Sequence, residues 1–190
     1  FELGNRVKLR AALVEKTHPE LVSVAMSIKE TVHIAVLKNH QVFYIDKVES
    51  PQGLKISSHI GSYNPAYSTA LGKVLLAFLS KEKQQTALDY IFNENDANTF
   101  TKHTIVNRTD LEIELNKIHQ QEYAIDREEF EIGLICVSIP IFNQNNEVIA
   151  SLSASGPANR FEEQEVKNYV ATLQTGALAI QQKIGNFKLL

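Results

Sequence analysis

The sequence predicts an α+β domain, an antiparallel sheet with helices gathered on one or both faces. Two observations predict it. Residues 32–38 and 41–48, and later Leu134–Ile141 and Val148–Ser155, alternate at the two-residue period of strands. Around these pairs, apolar residues recur three and four apart, the period of a helix with one buried face. The resulting order is helices, strands, helices, strands, helix.

Residues 5–30 read as two helices broken near Thr17-His18-Pro19. Val7, Leu9 and Leu13 give the first a loose stripe; Leu21, Ala25 and Ile28 give the second a clear one. Asn39-His40 is a two-residue hairpin turn between the first two strands. Residues 54–60 read as a third strand stopped by Gly61.

In residues 61–80, Asn64-Pro65 reads as a cap and first helical residue, with Tyr67, Leu71, Val74, Leu75 and Phe78 inward. Gly72 inside that helix costs about 1 kcal/mol relative to Ala, so an offsetting feature such as a close backbone approach to a strand is expected there. Residues 81–92 continue as a short helix with Ala87, Leu88 and Ile91 inward, and 93–107 as a polar loop. Thr109-x-x-Glu112 reads as a capping box opening a helix that buries Leu111, Leu115 and Ile118. Asn159 with Glu162 caps the last helix, striped by Val166, Tyr169, Val170, Leu173, Ala177, Ile180 and Ile184 and ended by Gly185.

The chain centres on residues 122–157. One face of that hairpin carries Ile135, Val137, Ile139, Ile141, Ala150, Leu152 and Ala154. The other carries Leu134, Cys136, Ser138, Pro140, Ile149, Ser151, Ser153 and Ser155. Small hydroxyls leave room and both donate and accept, which suits a pocket floor for a small polar ligand. Close packing by a helix is the structural alternative. Asp126, just before the hairpin, favours a site, whereas Glu128, Glu129 and Glu131 read as a solvated strand end.

Size suits one hydrophobic core: 190 residues, 44% apolar and 22% charged. No apolar run reaches the roughly 20 residues of a membrane span. The single Cys136 precludes an internal disulfide and fits a reducing cytoplasm. A net charge of −3 without a basic cluster lacks the footprint of a nucleic-acid binder. Phe1 opens the chain and Met26 is its only methionine, so a segment ahead of Phe1 is expected.

Enzyme and metal motifs are sparse. No paired-Cys or His-x-x-x-His metal motif, nucleophile elbow, phosphate loop or dinucleotide fingerprint occurs, so no cofactor and no metal is expected. The six histidines read as surface or hairpin residues. Asp126 and Cys136 alone supply too few metal ligands. Cys136 lies mid-strand among apolar neighbours, where a thiol is usually inert.

Together, YSTALGKVLLAFLS (residues 67–80), the stretch from YAID to PIF, and VIASLSASGP (148–157) resemble the C-terminal effector-binding domain of IclR-family bacterial transcription regulators. FTKHTI and the opening FELGNRV fit the same pattern, so the resemblance covers essentially the whole chain. It implies a GAF-like antiparallel sheet flanked by helices, in a cytoplasmic protein that forms dimers or tetramers. Residues 1–16 would be a linker helix from a winged helix-turn-helix head ahead of Phe1, the part that contacts DNA; 17–190 would be the effector-binding domain.

The resemblance also implies a small organic acid or related metabolite as ligand. Backbone amides of Ala70 and Leu71 would meet its acid group, with Asp126, Leu134, Cys136, Ser153 and Ser155 around the remainder. Gly53, Leu54 and Ile56 are further candidate walls. Relatives often carry His at the position of Tyr67 and a small residue at Leu71, so these two would narrow the mouth; Glu122 replaces a usual Gly in a turn. Two rival readings remain: a GAF-like enzyme using Cys136, and an oligomerisation module without a ligand.

Overall fold

The computed structural model describes residues 2–53, 55–94 and 97–184, with side chains from residue 14 onward except at 93 and 94. Six strands form one antiparallel sheet: β1 (Thr31–Lys38), β2 (Gln41–Val48), β3 (Tyr63–Pro65), β4 (Ala124–Arg127), β5 (Leu134–Phe142) and β6 (Val148–Pro157). Their spatial order is β3-β2-β1-β6-β5-β4.

Both expected hairpins are present. Asn39 and His40 have φ of 49° and 60°, the left-handed pair that a two-residue hairpin turn requires. Between β5 and β6 the Asn143 carboxamide oxygen accepts from the N–H groups of Asn145 and Glu147, which closes the turn.

The two faces of the sheet bury different cores. Ile135, Val137, Ile139, Ala150, Leu152 and Ala154 face α1 (Glu2–Ile28) and α5 (Glu163–Ile184), meeting Leu21, Val24, Leu173 and Ile180. Ala35, Val42 and Tyr44 face α2 (Ala70–Ala77), α3 (Lys81–Asp89) and α4 (Arg108–Gln121), meeting Val74, Leu76, Leu88, Leu111 and Leu115. Each fully buried Leu, Ile or Val contributes about 1.5–3 kcal/mol of transfer free energy, so alternation on the strands dictates helices on both faces.

Several local expectations are corrected. The two N-terminal helices are one, with Pro19 inside it. Proline leaves the carbonyl four residues back without an amide. Both Pro19 and Glu15 are exposed, so the break lies on the solvent side of the helix, while buried Thr17 and Leu21 keep the helix seated. The stripe of Val7, Leu9 and Leu13, together with Gly185, lies outside the described residues.

Residues 55–60 are not a strand. The Lys47 ammonium takes the carbonyls of Ile56 and Ser58 at 2.8 and 2.6 Å, so a side chain, not a neighbouring strand, satisfies them. The edge beside β2 goes instead to β3, which contains Asn64 and Pro65, the residues expected to open a helix.

Helix α2 begins later, at Thr69, whose hydroxyl accepts from the Gly72 N–H at 3.3 Å. Gly72 does mark a close approach, but to the chain at Ala66, not to a strand: a Cβ there would overlap the Ala66 carbonyl and Cα. Asn107, not Thr109, caps α4, through the N–H of Asp110. Asn159 lies in a 3-10 turn ahead of α5. Glu122 closes α4 in the left-handed conformation, φ 60°.

Candidate functional site

On the α2 face, adjacent rungs of the sheet carry polar side chains. Asp126 pairs with Cys136, and Cys136 with Ser155, across β4, β5 and β6. One rung on, Ser138, Ser153 and His33 align across β5, β6 and β1. Residues opposite one another on neighbouring strands share a face, so register alone brings these groups together. The hydroxyl face then divides. The Ser138 and Ser151 hydroxyl oxygens lie 2.6 Å apart and within 3.0 Å of the carbonyls of Leu152 and Ile139, so their two protons are shared among these three contacts and both groups are tied up.

Ala70, Leu71, Asp126, Leu134, Cys136, Ser153 and Ser155, the seven residues singled out from the sequence, line a single cleft. The space between these walls, counted out into open solvent at the mouth, is about 430 Å³. Ala70 and Leu71 open α2, and the first N–H groups of a helix have no intrahelical partner. They give this end of the cleft donors and positive potential.

Ile56 joins the wall; Gly53 does not, and Leu54 lies outside the described residues. Leu71 borders the cleft but Tyr67 does not. The Tyr67 hydroxyl donates to the Asn98 carbonyl at 3.0 Å, and its ring packs near Phe92 and Phe100, so it leaves the mouth open.

Five residues that line or brace the cleft escaped the sequence reading. His33, expected near the surface, is 2% exposed on β1, with Nε2 2.9 Å from the Ser58 hydroxyl. Tyr44 lies edge-on to it, and Asn64 donates to the Tyr44 hydroxyl at 3.1 Å. Lys73 is fully buried, and its ammonium reaches Glu129 at 2.5 Å and the Ile125 carbonyl at 2.8 Å. Glu129 is therefore buried and paired, not solvated as expected. No local signal marked it: Lys73 lies across the helix from the stripe of Leu71, Val74, Leu75 and Phe78, and α2 is buried on every side.

These contacts hold the loop after β4 over the cleft. The Glu129 N–H donates to the Asp126 carboxylate at 2.7 Å, and the hydroxyls of Thr101 and Thr104 donate to the carbonyls of Glu128 and Glu129. Glu128 turns the chain at φ 59°, its carboxylate accepting from the Gly133 N–H.

Burial sets the electrostatics. Asp126 is raised to about 7, chiefly by desolvation and further by the nearby Glu129 charge, against the pull of the Glu129 amide. Burial, then Lys47, lowers His33 to about 3, so its imidazole is neutral. Burial, then Asp126, pushes the Cys136 thiol well above the usual range. Among the described residues no group of three or more His, Cys, Asp or Glu is arranged to hold a metal ion. No described helix is long and apolar enough to cross a membrane.

Residues 6–182 match the family profile described as bacterial transcriptional regulator IclR C-terminal. The chain belongs to the IclR C-terminal domain family. KdgR of Escherichia coli K12 is 36% identical over 185 residues, 97% of this chain and 69% of KdgR. KdgR of Dickeya chrysanthemi is also 36% identical, and there the chain spans only 59% of the relative's length. Among solved structures, Thermotoga maritima IclR superposes with a TM-score of 0.84 at 36% identity, over 91% of this chain and 68% of that one. The inducer-binding domain of PobR from Acinetobacter, a double mutant in complex with 3-hydroxybenzoic acid, gives 0.76 at 27% identity, over 86% of this chain and 94% of that one.

The α+β, helix-flanked sheet read from the sequence is thus the fold of IclR C-terminal domains. Relatives of this IclR C-terminal domain are transcriptional regulators, so the regulator reading stands and the enzymatic reading of Cys136 falls.

Proposed function

We propose that this domain senses a small carboxylic acid, in the cleft between the N-terminus of α2 and the polar rungs of β4, β5 and β6. One observation carries the reading: seven residues from four separate chain segments converge on one cleft with donors at one end. The amides of Ala70 and Leu71 hold the carboxylate. Asp126, Ser153 and Ser155 hydrogen-bond its other polar atoms, and Leu134 and Cys136 shape the wall. PobR, whose inducer-binding domain takes 3-hydroxybenzoic acid, supports an acid as the ligand class.

In the full-length regulator, residues 1–16 form the linker to a DNA-binding segment, residues 17–190 form the sensing domain, and the protein acts in the cytoplasm as a dimer or tetramer. A bound acid shifts the balance of domain arrangements only by its differential affinity for them. Helix α1, packed on β2 with His18 2.9 Å from Asp46, carries that shift toward the N-terminus.

The test is a thermal-shift screen of the purified chain against small carboxylates. An acid at 100 times its Kd stabilises by about 2.7 kcal/mol, which raises Tm by roughly 5–10 °C in a domain of this size. The Ser153→Ala/Ser155→Ala variant is expected to fold and to lose that rise. An unchanged rise removes this cleft as the site.

A further inference from the structure

A bulge sets the two faces of β2. Ile34 pairs with Asp46 but Ala35 pairs with Tyr44, so Ile45 is an extra residue in the ladder. In an unbroken strand Tyr44 and Asp46 would share a face. Past the bulge the alternation is reset. Ile45 and Asp46 both turn to the α1 side, where Ile45 belongs to the same core as Leu21 and Val24. Tyr44 and Lys47 both turn to the cleft side. Tyr44 borders the cleft, and Lys47 stands opposite His33, which borders it too.

Two consecutive residues therefore grip opposite sides of the sheet. The Asp46 carboxylate, 2% exposed, meets His18 of α1 at 2.9 Å. The Lys47 ammonium binds the carbonyls of Ile56 and Ser58, and residues 56–58 form one wall of the cleft. Those residues belong to no strand, so side chains hold the wall to the sheet: Lys47 from β2, and His33 from β1 through the Ser58 hydroxyl. The peptide between the two grips is locked as well, because the Lys47 N–H donates to the Asp46 carboxylate at 2.8 Å. A shift of the wall that draws Lys47 with it turns this peptide and moves the carboxylate that faces His18.

We propose that the Asp46–Lys47 step couples the cleft wall at 56–58 to helix α1, so that loosening either contact loosens the other. Both are positioning residues, since neither lines the cleft. For its use in sensing, the inference rests on the acid-sensing reading above: an acid that moves the wall shifts α1, and a shift of α1 alters the affinity for the acid by the same factor. The bulge is what makes this possible. Without it Asp46 would point into the cleft and Lys47 into the apolar core under α1.

The test needs no ligand. Amide hydrogen exchange, which reports local opening, is followed by NMR in the purified chain. The reporters at the foot of the wall are Gly61, whose N–H donates to the Tyr44 carbonyl at 2.9 Å, and Ser62, whose N–H donates to the His59 carbonyl at 3.0 Å. His18→Ala removes the α1 contact at an exposed helical position and alters nothing on the cleft side. It is expected to speed exchange at Gly61 and Ser62 by about fivefold or more. Lys47→Met is the reciprocal variant, expected to speed exchange of the α1 amides from Glu20 to Ala25 by about fivefold or more. His18→Ala, the milder change, is the deciding one.

Glu20→Gln is the control. It weakens a different contact of α1, the ion pair with Lys183 of α5, which does not pass through β2. Exchange in α1 is expected to rise while Gly61 and Ser62 keep the parent's rates. Parent rates at Gly61 and Ser62 in His18→Ala overturn the coupling. So does an equal rise there in Glu20→Gln, which would mark a general softening of the domain. Either result leaves the acid-sensing reading intact, because the thermal-shift screen with Ser153→Ala/Ser155→Ala decides that reading separately.

Discussion

Lys73 on α2 and Glu129 in the loop after β4 form an ion pair 2.5 Å long with both side chains buried. The lysine also caps the Ile125 carbonyl, at the strand that carries Asp126. One cation therefore ties the helix whose first amides edge the cleft to the loop that covers it. Removing one partner of such a pair leaves a buried charge uncompensated, at a cost of about 3–5 kcal/mol. Lys73→Met is expected to lose that much in urea denaturation, and Lys73→Met/Glu129→Leu to recover most of it. A loss below about 1 kcal/mol in the single variant would place the pair in the class of surface ion pairs.

Asp126 gives the fold a pH dependence of defined sign. Its carboxyl, raised from 3.8 to about 7, binds its proton more tightly in the folded than in the unfolded chain. The stability it contributes is complete below 3.8, falls as pH climbs toward 7 and is gone above. Asp126→Asn keeps an acceptor for the Glu129 amide and removes the titration. The variant is expected to match the parent near pH 4 and to exceed it at pH 8, by at most about 4 kcal/mol. His33, lowered to about 3, runs the opposite way: its contribution is present above 6.5 and lost in acid. Comparing variant with parent at each pH in urea isolates the Asp126 part. An excess at pH 8 no larger than at pH 4 would contradict the assignment.

The sheet was legible because a two-residue period is a geometric signature. The apolar side of β5 and β6, Ile135 to Ile141 and Ala150 to Ala154, reads directly off the letters and sits in the core as read. So did the convergence of Asp126, Cys136, Ser153 and Ser155, once the family pattern was added to the alternation. What escaped reading depends on side chains meeting across long stretches of chain. Lys73 and Glu129 look solvated one at a time, and only their pairing over 56 residues permits burial. His33 lies on a strand whose polar face turns out to be the cleft floor. Residues 55–60 have strand-like letters, but Lys47 binds their carbonyls, and no local pattern announces that.

Gly72 offers a test of packing against propensity. Ala is favoured over Gly in a helix by about 1 kcal/mol. Yet any Cβ at this position overlaps backbone atoms of Ala66, which cannot rotate away as a side-chain tip would. Gly72→Ala is therefore expected to destabilise by about 1–3 kcal/mol, and also to weaken acid binding, since Ala66 leads directly into the first turn of α2. A gain in Tm would mean that the segment 66–69 moves aside freely.

Glu122 makes the opposite case. It ends α4 with φ 60°, its N–H donating to the Ile118 carbonyl at 2.8 Å, a position that glycine occupies without steric cost. A side chain in this conformation costs roughly 1–2 kcal/mol, part of which glycine gives back through the freedom of the unfolded chain. The Glu122 side chain is exposed, and among the described residues it has no hydrogen bond or ion pair that would offset the strain. Glu122→Gly is expected to raise stability by about 0.5–1 kcal/mol, seen as a higher urea midpoint with an unchanged slope. The acid affinities should stay those of the parent, because the turn lies outside the cleft lining. A lower midpoint would show that the carboxylate carries a stabilising interaction that outweighs its backbone strain.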